Sequence, residues 1–494
     1  MDETALAYLP LERLAPLVAK GKISPVELVE LAARRIERLN PALNAFLSLS
    51  IEPALDQARR AEREIRNGGW RGPLHGIPVS IKDNIATRNV QTTAGSKIPG
   101  AFPAGEEAAV ARRLRRAGAI VIGKTNLHEF AYGVTSENPH YGPVHNPWDR
   151  SRMAGGSSGG SAASLAAGIG WGSIGTDTGG SLRIPASLCG VVALKPTFGR
   201  VSRQGVVPLS TSLDHVGPLA TSVTGAAWLL GAIAGRDRQD DSTAGAPMPE
   251  EDYAGRLRRR LGRVRLGLPR EFFFAGIQAE VRSRIEAAAR EMERLGAEIE
   301  EIHLPGVAGW VREATPIALA EARHYHESTG HFPSRAAAYG AEVRRLLEHG
   351  GEVAAFQYLA SLDRMREARA HWDETIEGFD ALLAPATPMA APLLGQQEVI
   401  SDGKPEKVRA ALLRLCRPAN FTGAPALVLP CGFTDDGLPI GLQLIGQNWS
   451  EARLLRIGYA YEQAAGWLEK HPAGGQARAE QRQNSAPGDR SRMG

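Results

Sequence analysis

Two serines set among glycines, and a lysine closing an apolar run, are the residues of this 494-residue sequence whose types and spacing could do acyl-transfer chemistry. Ser157 lies in "MAGGSSGGSAAS" (Met153 to Ser164), Ser181 in "GTDTGGSLRIPAS", and Lys82 in "GIPVSIKDN". Gly155 to Gly159 also spell G-x-S-x-G, the pattern of a nucleophile elbow centred on Ser157. That elbow needs a strand directly before the serine, whereas "HNPWDRSRMA" is polar, contains proline and does not alternate. Histidines follow from His215 onward, none in a recognisable triad context. Lysine is the other available base. Burial at the end of a strand favours the neutral amine, which can take a proton from a serine. Gly179 and Gly180 permit a tight turn before Ser181 whose N–H groups converge on one point, as an oxyanion hole requires.

Other motifs point elsewhere and fail on context. Gly118 to Thr125 matches the phosphate-loop pattern G-x-x-x-x-G-K-T, but its variable positions are Ala-Ile-Val-Ile, a buried strand rather than an open loop. Gly170 to Gly175 fits a dinucleotide fingerprint, yet "TDTGGSLRIP" is not expected to start a helix. "HYHESTGH" resembles a zinc-protease helix, but His324, His326 and His331 do not share one helical face, so solvated or core roles are expected.

The elements that must position the serines and lysine follow from periodicity. "SPVELVELAARRIERLN" opens with Ser24 as N-cap, Pro25 at the first helical position and Glu27 completing a capping box. From about Leu74 short β-like runs and glycine turns take over: "HGIPVSIKDNI", "AIVIGKTN", "GVVALKPTFGRVS". Helices dominate between about Pro249 and Lys407, and β character returns at "APALVLPCGF" and "LPIGLQLIG". This pattern predicts one large α/β domain carrying a helical insertion.

Composition excludes several classes. Hydrophobic residues make up 43% and charged residues 23%, ordinary for a protein with a large core, and the net charge is only +4. The basic run "RLRRRLGRVRLGLP" (Arg256 to Pro269) has no interleaved aromatics for nucleic-acid stacking and runs into a strand from Val264. Cys189, Cys416 and Cys431 are odd in number and far apart, which argues against a disulfide framework or metal spacing. The acidic N-terminus lacks signal-peptide character, and "GAAWLLGAIAG" is too short to span a bilayer, so a cytoplasmic location is expected.

The motifs around Lys82, Ser157 and Ser181, with "GKTNLHEFAYG", "SLDHVGPLA" and "GLPIGLQLIG", resemble the amidase signature family over nearly the whole chain to about residue 470. The intervals fit as well: 75 residues separate Lys82 from Ser157, and 24 separate Ser157 from Ser181. The resemblance implies an α/β fold with a central mixed β-sheet, helices on both faces and a helical insertion. With it goes a single domain over 1–470, in which periodicity predicts a helical arm over about 1–65 and the insertion over about 250–407, while the polar composition of 471–494 predicts a disordered tail. By position, Ser181 would be the nucleophile, Ser157 the bridging serine in a cis peptide, and Lys82 the base. The N–H groups of Thr178, Gly179, Gly180 and Ser181 would hold the oxyanion, while Ser158, Asp177 and Arg183 would stand behind them. No metal or cofactor is implied.

The family contains free-standing amidases and also the glutaminase component of glutamyl-tRNA amidotransferase, which frees ammonia from glutamine inside a complex. Those components grip the amino-acid end of glutamine with an arginine and an aspartate. Arg344 or Arg345 could supply the first, but Leu413 stands where the aspartate is expected. The expected function is therefore a free-standing serine amidohydrolase of a linear amide. The amidotransferase component is the alternative, and carbamate or ester hydrolysis by the same triad is another. An inactive partner-binding subunit is disfavoured by the complete triad. Trp310, Tyr325 and Phe356 are candidates either for an apolar acyl pocket or for core packing. A small-molecule amide, no direct nucleic acid, no membrane and a homodimer complete the expectations.

Overall fold

The computed structural model describes residues 2–88, 90–98, 106–247 and 252–472. The tail expected over 471–494 lies, from 473 on, outside the described residues.

Near the N-terminus, Ser24 Oγ accepts from Val26 N–H (3.0 Å) and Ser24 N–H donates to the Glu27 carboxylate (2.8 Å). This box starts helix α1 (Pro25–Leu43), and α2 (Ile51–Arg66) packs beside it. The centre of the molecule is an eleven-stranded mixed sheet. Its strands are β1 (Phe46–Leu49), β2 (Pro78–Lys82), β3 (Ile120–Thr125), β4 (Ser173–Asp177), β5 (Val192–Lys195), β6 (His215–Ala220), β7 (Val264–Leu268), β8 (Ala297–Glu301), β9 (Ala381–Pro385), β10 (Ala426–Phe433) and β11 (Pro439–Ile445). They run across the sheet in the order β1-β3-β2-β4-β6-β5-β10-β11-β9-β7-β8.

Side chains alternate along these strands, so one sheet feeds two cores. Val79, Ile81, Val192 and Leu194 enter one, and Ile122, Ala193 and Leu219 enter the other. Both faces are covered by helices, which is why β2 and β4 are buried at every position. β2 runs parallel to both β3 and β4, and β6 lies antiparallel to β4 with His215 opposite Asp177. The carboxyl ends of β2 and β4 therefore meet at one edge of the sheet layer, where open α/β sheets place ligands.

Three local expectations change. A helix, α4 (Arg183–Cys189), does start within "TDTGGSLRIP". Pro185 falls in its first turn, where a missing N–H costs nothing. A short strand does form over Asp149–Met153, but it pairs with His145–Asn146 in a separate ribbon and ends before Ser157. The segment 250–407 is more than a helical insertion, because β7, β8 and β9 in it build one end of the sheet. The edge strand β8, "AEIEE", is mostly solvent-facing, so its apolar signal is thin. Among the described residues no helix is long and apolar enough to cross a membrane.

Candidate active site

Lys82 is the last residue of β2 and is fully buried. Its Nζ lies 2.7 Å from Ser157 Oγ and 2.7 Å from Thr176 Oγ1 on the neighbouring β4. Among the described residues no carboxylate forms an ion pair with it. Burial pulls its proton affinity down to about 7, against the opposing charges of Asp177 and Asp214. The base candidate is thus a lysine surrounded by hydroxyls.

Ser157 follows a cis peptide bond from Gly156 and precedes helix α3 (Gly159–Ala166). The helix can seat this close only because Gly160 has no side chain: a Cβ there would lie 2.4 Å from the Ala45 carbonyl oxygen and 2.5 Å from that of Asn126. Ser158 N–H donates to the Ser181 carbonyl (3.1 Å), and Ser158 Oγ to the Thr176 carbonyl (3.2 Å). These bonds tie the glycine loop of Ser157 to the turn of Ser181.

Ser181 sits in the turn between β4 and α4, a strand–turn–helix arrangement that the G-x-S-x-G pattern had placed at Ser157. Its Oγ has no hydrogen-bond partner among the described residues, and the residue lines the cleft. No hydrogen bond joins Ser157 Oγ to Ser181 Oγ directly. Catalytic bonds of this kind commonly tighten only once substrate is bound.

Asp177 and Arg183 hold the turn from beneath. Both are fully buried, with Arg183 Nε 3.0 Å from Asp177 Oδ2 and Nη2 3.1 Å from Oδ1. Asn420 Nδ2 donates to Asp177 Oδ1 (2.8 Å), and Arg183 Nη2 donates to Asn420 Oδ1 (2.6 Å). Burial works to raise the Asp177 proton affinity, but the charge and hydrogen bonds of Arg183, the charge of Lys195 and the Asn420 hydrogen bond together outweigh it and keep the carboxylate ionised. The turn's backbone is then read by this carboxylate: Gly180 N–H donates to Oδ1 (2.8 Å) and Leu182 N–H to Oδ2 (3.1 Å). Of the four N–H groups expected to hold an oxyanion, that of Gly180 is therefore already engaged by Asp177, which departs from the expectation at that position. Gly180 serves the turn differently, with φ +128° and no room for a Cβ, which would meet Cys416 Cβ at 2.6 Å.

The cleft above Ser181 has about 380 Å³ of space including its mouth. Its apolar lining includes Val134, Leu209, Leu213, Ala314, Ala318 and Leu413, and Tyr132, Thr178, Ser181, Arg409 and Arg417 supply the polar side chains. Thr178 Oγ1 donates to Asp214 Oδ1 (2.5 Å), whose other oxygen accepts from Leu209 and Ser210 N–H (2.9 and 3.0 Å). Burial raises Asp214 to about 6.

Several sequence candidates lie elsewhere. Arg344 and Arg345 do not line the cleft, and Arg344 approaches Glu348 at 3.9 Å instead. Trp310 packs edge-on to Trp372 and Tyr325 against His326. Phe356 is neither pocket nor core, being 78% exposed. His326 is a core residue bonded to the Tyr339 hydroxyl (2.9 Å). Sequence reasoning missed Thr176, Asn420, Tyr132 and Arg417. Thr176 was legible inside "GTDTGGS", whereas Arg417, 236 positions after Ser181 in the chain, carries no local signal.

A sequence model of the family described as Amidase matches residues 27–455. The glutamyl-tRNA(Gln) amidotransferase A-subunit of Chloroflexus aggregans is 40% identical over 491 residues, covering 95% of this chain and 99% of that protein. The native peptide amidase of Stenotrophomonas maltophilia is 34% identical at a TM-score of 0.82, covering 94% of this chain and 98% of that one. The corresponding glutamyl-tRNA(Gln) amidotransferase A-subunit of Thermotoga maritima is 33% identical at a TM-score of 0.77, covering 94% and 96%.

Proposed function

This chain belongs to the amidase family, and from that premise we propose that it hydrolyses a carboxylic amide through an acyl-enzyme on Ser181. The observation that carries the proposal is the buried 2.7 Å bond between Lys82 Nζ and Ser157 Oγ, in a loop tied through Ser158 N–H to the Ser181 carbonyl, with Ser181 lining the cleft. In this reading neutral Lys82 takes a proton from Ser157, which takes one from Ser181, and Ser181 Oγ attacks the amide carbonyl carbon. The N–H groups of Thr178, Gly179 and Ser181 receive the oxyanion. Collapse breaks the C–N bond, and the proton returns through Ser157 to the departing amine. Water, deprotonated along the same path, then releases the acid. An ester enters the same sequence with an alcohol as leaving group, and a carbamate enters it through a carbamoyl- or alkoxycarbonyl-enzyme that water then releases.

Two settings for this chemistry each have support. Kinship favours the glutaminase component of a tRNA-dependent amidotransferase, since the 40% identity to such a protein runs over 95% of the chain. A free-standing amidase is favoured by one position, Leu413, an apolar side chain in the cleft where a carboxylate would be needed to pair with the ammonium of glutamine.

The test is product release by the purified chain, alone and with amidotransferase partner proteins and tRNA, beside Ser181→Ala. Loss of turnover by about a thousandfold or more in the variant is expected. Turnover that survives Ser181→Ala would remove the acyl-enzyme, and turnover of glutamine only with partners present would decide for the amidotransferase setting.

A further inference from the structure

The cleft's polar groups are unbalanced. Arg409 and Arg417 both line it, and no aspartate or glutamate does among the described residues. Three carboxylates near these residues are already engaged: Asp177 by Arg183 and Asn420, Asp214 by Thr178 and two backbone N–H groups, and Glu342 by His128 (3.4 Å) and by Arg409 itself (3.2 Å), which leaves Arg417 as the arginine without one.

Arg417 has no ion-pair partner within the described residues. Its two protein hydrogen bonds both use Nη1, to Thr315 Oγ1 (2.7 Å) and the Val311 carbonyl (3.3 Å), so Nε and Nη2 remain unspent. The guanidinium lies beside the turn that holds the nucleophile. A Cβ placed on Gly179 would stand 3.6 Å from Arg417 Nε. Tyr132 supplies an independent observation. It is 3% exposed, it lines the cleft, and its hydroxyl is buried without any hydrogen-bond partner. A buried polar group in that condition is destabilising unless something satisfies it. Burial, and then the charge of Arg409, weaken the hold of Arg417 on its proton, which an anion in the cleft would reverse.

We propose that the amide taken by this site carries an anionic group, a carboxylate on its acyl portion, which Arg417 and the Tyr132 hydroxyl receive with Arg409 behind them. This rests on the Ser181 reading above and narrows its substrate class. The substrate is a short amide of a dicarboxylic acid without an ammonium group. Leu413 and the unpaired charge of Arg417 disfavour a zwitterion, because its ammonium would meet a leucine and a guanidinium that no carboxylate among the described residues offsets.

The experiment separates binding from turnover. With the Ser181→Ala chain, calorimetric binding is measured for malonamate, succinamate and glutaramate beside the neutral amides propionamide and butyramide and beside glutamine. At least one anionic amide is expected to bind about tenfold or more tighter than its neutral counterpart and than glutamine. Arg417→Met should reduce that preference about tenfold, Arg417→Lys should restore part of it, and Tyr132→Phe should lower it without removing the charge. The comparison of ligands on one protein needs no folded Arg417 variant. Equal binding of anionic and neutral amides, no binding of any anionic amide, or tightest binding of glutamine would each overturn the proposal. Anionic preference in binding without turnover by the wild-type chain would leave it standing and sink the hydrolase reading alone.

Discussion

Two buried lysines show how much a single contact decides. Lys124, the lysine of the phosphate-loop look-alike, ends in a buried pair with Asp83 at 2.9 Å and also donates to Thr92 Oγ1 at 2.8 Å. Lys82 is equally buried, but among the described residues its ammonium hydrogen-bonds only the hydroxyls of Ser157 and Thr176. Burial weakens both as cations, yet only at Lys124 does a touching carboxylate hold the charge in place. Lys82 is therefore the one suited to act as a base near neutrality. A base works only unprotonated, so with its pKa lowered to about 7 the rate should be low in acid and high in alkali. Measured kcat/KM should fall about tenfold per pH unit below that point and level off above it. Asp214, raised to about 6, is the other group that could shape this limb, so the profile of Asp214→Asn serves as the control. A limb that vanishes in Asp214→Asn, or a rate that survives Lys82→Met, would take the base role from Lys82.

At the level of elements, the decisive unit is β4, its turn and α4. β4 delivers Thr176 to Lys82 and Asp177 to Arg183, and Asp177 then fixes the turn by accepting from Gly180 and Leu182 N–H. The positive φ of Gly180 and its crowding against Cys416 and Ile184 make glycine the residue that allows this path. Gly180→Ala should cost about 1–3 kcal/mol of stability in urea unfolding. It should also cost more activity than that loss of folded protein explains, since the neighbouring N–H donors move with the turn. Unchanged unfolding and unchanged kcat would show that the turn relaxes freely and does not aim Ser181. Much of this element was legible: the double glycine before a serine is a strong local signal. The helix after it was not, because Pro185 reads as a breaker until its place in the first turn is known.

For the whole molecule, stability and site precision share one source. β2, β4 and β6 lie inside the sheet with cores on both faces, so opening them requires breaking both. Amide hydrogen exchange should be slowest in these three strands and fastest at the edge strand β8. Exchange at β2 and β4 as fast as at β8 would mean that the site is carried by a locally mobile unit. Local patterns by themselves determined the capping box of α1, the buried strand at Ile120 to Thr125 and the three site segments, because capping, alternation and glycine turns act over a few residues. Family resemblance carried the pairing of Lys82 with Ser157 across 75 positions. Tertiary structure alone decided that Gly180 N–H belongs to Asp177, that β7 to β9 complete the sheet, and that Tyr132, Arg409, Leu413 and Arg417 surround one cleft. Those facts depend on which distant segments are brought together and on which donors are already taken, and neither leaves a periodic trace in the chain.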